Sequence, residues 1–142
     1  MKYYTGDLHF GNCAGCDYLK GKNINVIGTP HHTEWIYKLF AYTMGCEFDT
    51  EAKIKPCLTV ERNGHSFRFA TYDDEVLRAI QFYIIESQLE QAVGRARLLR
   101  CDCSVYLFSN FPLKQAQMVA GFDFDNDAGE NGNVEGERKE PN

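Results

Sequence analysis

Apolar positions recur with two different periods along the first 120 residues, and each change of period marks an element. Ile24, Val26 and Ile27 within Asn23–Thr29, bounded by Gly28 and Pro30, form the dense run of a buried strand. Thr33 then predicts the cap of a helix running to about Met44. Trp35, Ile36, Leu39 and Phe40 form its apolar stripe, and Gly45 stops it. Strict alternation follows on both sides of Asn63-Gly64. A two-residue type I′ turn there pairs Val60 with Phe67 and Leu58 with Phe69 on one face. The same register pairs Glu61 with Ser66 and Thr59 with Arg68 on the other, so one face is apolar and one polar. Asp73 or Asp74 can cap the next helix, where Val76, Leu77, Ile80, Tyr83 and Ile84 recur at helical spacing. Ser87 and Glu90 form an S-x-x-E capping box, which predicts a fresh helix starting just before Gln91. Cys103–Phe108 reads as a last strand, closed by Pro112.

Ahead of these lie a possible short strand at Lys2–Thr5 and a Gly-rich loop from Gly6 to Gly21. The resulting order is strand, loop, strand, helix, hairpin, helix, helix, strand. That is an α/β arrangement, with a hairpin inserted into part of a parallel sheet, and no internal repeat interrupts it.

Composition changes this picture at one end. Of the 142 residues, the stretch 121–142 holds seven acids against Arg138 and Lys139, and has little apolar content beyond Phe124. It reads as an acidic disordered tail after a single domain over 1–120. The tail carries the whole net charge of −5, so the domain is formally neutral and its totals neither favour nor oppose a nucleic-acid partner. No apolar run reaches membrane-spanning length and no signal-peptide pattern opens the chain, so the expected location is cytoplasmic, without a membrane partner. The six cysteines are then expected as thiols, with Cys46 and Cys57 as small buried hydrophobes.

The segment Glu90–Arg100, EQAVGRARLLR, holds the candidate chemistry. Gln91, Gly94, Arg95 and Arg97 form Q-x-x-G-R-A-R. Arg is permanently charged, and its planar fork can give phosphate oxygens two hydrogen bonds. On a helix Gln91 and Arg95 share a face, Gly94 permits close approach, and Arg97 projects about 200° away from Arg95. This pattern resembles motif VI of superfamily 2 helicases, in the form found in Dicer and the innate-immune RNA-sensing helicases. The second Arg stands one residue early, since Leu98 occupies its usual place. Upstream, Gly15-Cys16-Asp17 followed by NINVIGT resembles motif V of the same superfamily.

The resemblance implies a partial RecA-like C-terminal lobe. Arg95 would be the favoured arginine finger on a γ-phosphate, with Arg97 in support or as the alternative finger and Gln91 beside them. Gly15, Asp17 and Gly94 would lie at the nucleotide, Asp17 accepting from its ribose. Asn12, Thr29 and His31 would lie at the nucleic acid, DNA or RNA. The chain has no G-x-x-x-x-G-K-[ST] sequence, so ATP and Mg²⁺ would be held only with an N-terminal P-loop lobe, in cis or in trans. Taken without the resemblance, Arg95, Arg97 and Arg100 are a solvated helix face over an Ala92, Val93, Leu98 and Leu99 core. A non-catalytic nucleic-acid-binding or protein-interaction module is the competing function.

Two further patterns point elsewhere. Asp7-Leu8-His9 looks like the first metal motif of calcineurin-like phosphoesterases, but the additional ligands such a site needs are missing from the sequence. Cys13-x-x-Cys16 with Cys101-x-Cys103 offers four thiolates, but the second spacing is too short for a usual zinc knuckle. No metal ligand is assigned.

Overall fold

The computed structural model describes residues 9–10 and 17–119. The expected strand at Lys2–Thr5, the candidates Asn12 and Gly15, Asp7, Cys13 and Cys16, and the segment 121–142 lie outside the described residues. The elements run β1 (Ile24–Ile27), α1 (Glu34–Thr43), β2 (Lys55–Arg62), β3 (His65–Thr71), α2 (Glu75–Gly94) and β4 (Val105–Phe108). The chain is thus mixed α/β.

β1 and β4 pair in parallel, Ile24 opposite Val105 and Ile27 opposite Phe108. Parallel neighbours need a crossover, and here the crossover carries α1, the hairpin and α2. Val26, with Ile24, Val105 and Leu107, faces the main core. The other face of the pair presents Ile27, 75% exposed, with Tyr106 and Phe108 nearly half exposed.

The hairpin has the register its alternation predicts. Val60 meets Phe67, Leu58 meets Phe69, Thr59 meets Arg68 and Glu61 meets Ser66. Asn63 and Gly64 both have positive φ, 52° and 80°, as a type I′ turn requires. Its apolar face packs on Phe82, Ile85 and Leu89 of α2 and on Phe111 and Leu113 beyond β4. Phe67, Phe69, Phe82 and Phe111 meet with ring centroids 5.3–6.4 Å apart, mostly edge to face. Polar ties fix the same docking. Arg62 donates to Glu86, and Asn63 donates to Glu86 at 2.7 Å and to the Pro112 carbonyl at 2.9 Å. Buried Gln81 accepts from Thr71 Oγ1 and donates to the Ala70 carbonyl.

α2 departs from expectation: it is one continuous helix, not two. Asp74 caps it, accepting from the Leu77 N–H at 2.8 Å. Ser87 lies mid-helix and exposed. A cap at Ser87 would contribute about 1 kcal/mol. Breaking the helix there would misplace Leu89 and Ala92, and burying a leucine alone contributes about 1.5–3 kcal/mol. The helix is buried on two sides: Phe82, Ile85 and Leu89 face the hairpin, while Leu77, Ile80 and Ile84 pack with Tyr37, Ala41 and Tyr72 in a second cluster.

α1 shows the other corrections. Its buried side is Tyr37 and Ala41, whereas Trp35, Leu39 and Phe40 of the predicted stripe are 61%, 48% and 46% exposed. Apolar residues occupy nearly every side of this helix, and polar partners decide which side docks. Tyr37 Oη accepts from the His32 N–H at 2.8 Å, and Glu34 accepts from the Ile54 N–H at 3.0 Å. Tyr83 is exposed on α2. Cys57 is also exposed, beside a register shift between Lys55 and Leu58, and Cys46 is half-buried.

Candidate functional site: an arginine-lined cleft

The Q-x-x-G-R-A-R segment does not stay helical. α2 ends at Gly94, Arg95 is its C-cap, and successive N–H groups of Arg95, Ala96 and Arg97 close back on Ala92, Val93 and Gly94. Arg97 has φ 56°, which reverses the chain, and its carbonyl accepts from both Arg100 and Cys101. The 200° separation expected of Arg95 and Arg97 on one helix therefore does not apply. A helix continued through Ala96 and Arg97 would carry the chain away from β4. Leu98 and Leu99 are likewise not core: they are 41% and fully exposed, while Ala92 is buried.

This turn is held by the segment that carries Asp17. Arg97 Nη2 donates to Asp17 Oδ1 at 2.8 Å across 80 residues of sequence. The Ala96 carbonyl accepts from the Gly21 N–H at 3.0 Å and from the Cys103 thiol at 3.3 Å. Gly21, at φ 69°, makes the turn that delivers this N–H. The hydrogen bond and charge of Arg97 hold the Asp17 carboxyl below the usual carboxylate range, with smaller contributions from Lys20 and Arg95. Both members of the pair are exposed, so its effect is to orient Arg97 more than to stabilise the fold.

The two segments border an open cleft of about 480 Å³. Val93, Leu98, Leu99 and Leu113 give it an apolar lining, while Arg95, Arg97 and Arg100 bring cations and Asp17 and Glu90 bring acids. Arg95 is half-buried, and its Nε is shielded from solvent without a hydrogen-bond partner among the described residues. Gly94 also lines the cleft, and a Cβ there would meet no atom within 4 Å. Packing within the described residues thus does not demand glycine at this position. Gln91 is exposed one helical turn earlier and does not line the cleft.

Thr29 and His31 lie elsewhere. The cleft adjoins the residues that enter β1 and β4, whereas Thr29 and His31 follow the carboxyl end of β1, roughly 13 Å away along a four-residue strand. Thr29 Oγ1 donates to Asn110 Oδ1 and bonds Ser109 Oγ at 2.7 Å. His31 stacks on Phe69 with centroids 5.4 Å apart. Burial, then the neighbouring His32, pushes its pKa down. His32 Nε2 meets the Gln88 amide at 2.7 Å. Ser109, Asn110 and Gln88 thus join this second group unforeseen. The Ser-Asn pair directly after the last predicted strand was the signal for two of them, since open α/β sheets present ligand-contacting groups at that end.

Among the described residues no group of three or more His, Cys, Asp or Glu side chains could hold a metal ion. Nor, among them, is any helix long and apolar enough to cross a membrane. Comparison with protein-family models, curated proteins and solved structures finds no match.

Proposed function

We propose that this chain is part of the C-terminal lobe of a cytoplasmic superfamily 2 nucleic-acid-dependent ATPase. In this reading it supplies an arginine finger to a nucleotide held by a P-loop lobe, in cis or in trans. The observation that carries the proposal is the joining of Asp17 to Arg97. Asp17 and Arg97, from the segments that resemble motifs V and VI, are remote in sequence yet border one cleft. Two apolar surfaces support a larger assembly: Trp35, Leu39 and Tyr42 on α1, and Ile27 and Tyr106 on the outer face of β1 and β4. Parallel sheets ordinarily have both faces covered.

The roles divide by what each arginine already touches. Arg97 is committed to Asp17 and fixes the turn. Arg95, half-buried at the edge of the cleft, is the cation for the γ-phosphate. Its charge would offset negative charge developing on the transferred group, and Mg²⁺ would come with the P-loop lobe. Asp17 remains 77% exposed, so a ribose hydroxyl can still reach its carboxylate. Gln91 and Gly94 flank the approach. Nucleic acid would contact Asn12, Thr29 and His31.

A P-loop polypeptide encoded beside this chain would support the reading, and its absence would favour a non-catalytic module. The test combines such a polypeptide with the full chain and measures nucleic-acid-stimulated ATPase. Arg95→Ala is expected to lower kcat by about 10³-fold or more, and Arg97→Ala by less. If both substitutions leave the rate unchanged, the finger role is wrong and a non-catalytic binding module takes its place.

A further inference from the structure

The cleft beside Arg95 combines two chemistries that rarely suit one simple ligand. Leu98 and Leu99 stand exposed next to Arg95, Arg97 and Arg100. A phosphate chain would meet the cations and leave the leucines in water, and an aliphatic segment would do the reverse. The chain itself contains a sequence with both halves. Phe122-Asp123-Phe124-Asp125-Asn126-Asp127 alternates rings with acids, so an extended backbone puts the rings on one side and the carboxylates on the other.

We propose that this cleft is a docking surface for the chain's own segment Phe122–Asp127, its rings on Leu98 and Leu99 and its carboxylates on the arginines. Charge supports the assignment, because residues 121–142 hold seven acids against two bases, while the cleft brings three arginines against Asp17 and Glu90. Reach supports it as well. Leu113 and Gln115 line the cleft, and Gln115 is tied to Glu90 of α2 at 2.9 Å. The described chain continues to Val119, and from there Phe122 and Asp127 lie within about 10 and 28 Å of extended chain. Docking does not depend on Arg95 meeting a phosphate. Its consequence, competition with a phosphate ligand at Arg95, rests on the function proposed above.

Methyl NMR on the full chain, with no nucleotide or nucleic acid present, tests the docking separately from that function. Phe122→Ala with Phe124→Ala, and separately Asp123→Asn with Asp125→Asn and Asp127→Asn, should each shift the Leu98 and Leu99 methyl resonances. The buried Leu77 signal should stay in place and report an intact fold. A free peptide of residues 120–128 should return the Leu98 and Leu99 signals of the double-Phe variant to their original positions. Docking is overturned if these resonances match in the parent chain and both variants, or if the peptide leaves them unmoved. An effect of the acids without the rings reduces the contact to charge attraction and overturns it too. Shifts that appear only as protein concentration rises assign the segment to a second copy and overturn docking in cis.

Discussion

Gly94 illustrates how one residue can separate a chain's own needs from those of a proposed partner. It ends α2, its φ is not positive, and an added methyl would meet nothing nearby. Alanine there should raise the stability of the chain by roughly 0.4–1 kcal/mol, through helix propensity and a less flexible unfolded state. With a P-loop partner, the same methyl would stand where the nucleotide or the other lobe must approach. Gly94→Ala is therefore expected to increase Tm while lowering ATPase of the mixture. A gain in stability with full ATPase would show that no close approach occurs at Gly94. At this scale the sequence was readable where residue type dictates chemistry, as with Asp74, one of the two aspartates expected to cap α2. It was not readable where the backbone decides direction: nothing in the letters shows that Arg97 takes a left-handed conformation and turns back to Asp17.

Elements were legible in proportion to how local their determinants are. The hairpin depends on a two-residue turn and alternation over a few neighbours, and its four expected pairs are all present. α1 and α2 depend on what packs against them. The stripe Trp35, Leu39 and Phe40 and the buried pair Tyr37 and Ala41 are both plausible helical faces, and only contacts with Tyr72 and Leu77 choose between them. The capping box at Ser87 was a genuine local preference outweighed by burial on both sides of a long helix. A substitution measures the outcome. Ser87→Ala would cost about 1 kcal/mol at a true cap, but in the middle of a helix alanine should stabilise by a few tenths of a kcal/mol. Chemical denaturation of the single variant distinguishes the two signs.

For the whole molecule, protonation should loosen the fold in two steps. His31 has an ordinary pKa of 6.5 that the fold pushes down, through burial and then His32. The unfolded chain therefore takes up this proton first. Stability should fall as pH drops through about 6.5, until the folded His31 also titrates. Asp74 is held below 3.8 by the N–H groups of Asp49 and Leu77. Burial pushes Glu86 up, but hydrogen bonds from Arg62 and Asn63 outweigh it and leave it below 4.5. Their contributions are present above those values and are lost on further acidification. Tm measured against pH should show both limbs. His31→Phe, which can keep a ring on Phe69, should remove the upper limb alone, and an unchanged upper limb would exclude His31 as its source.

The parallel pairing of β1 with β4 joins positions 81 apart, Ile24 with Val105. Closing a loop of that length costs roughly 4 kcal/mol of chain entropy before any contact compensates it. The hairpin and α2 carry no such burden, so their association can precede the pairing of the strands. The Asp17–Arg97 contact spans 80 residues and lies at the entrance to that pair. The Asp17 side of the cleft therefore depends on that pairing, and any excursion that parts β1 from β4 separates Asp17 from Arg97.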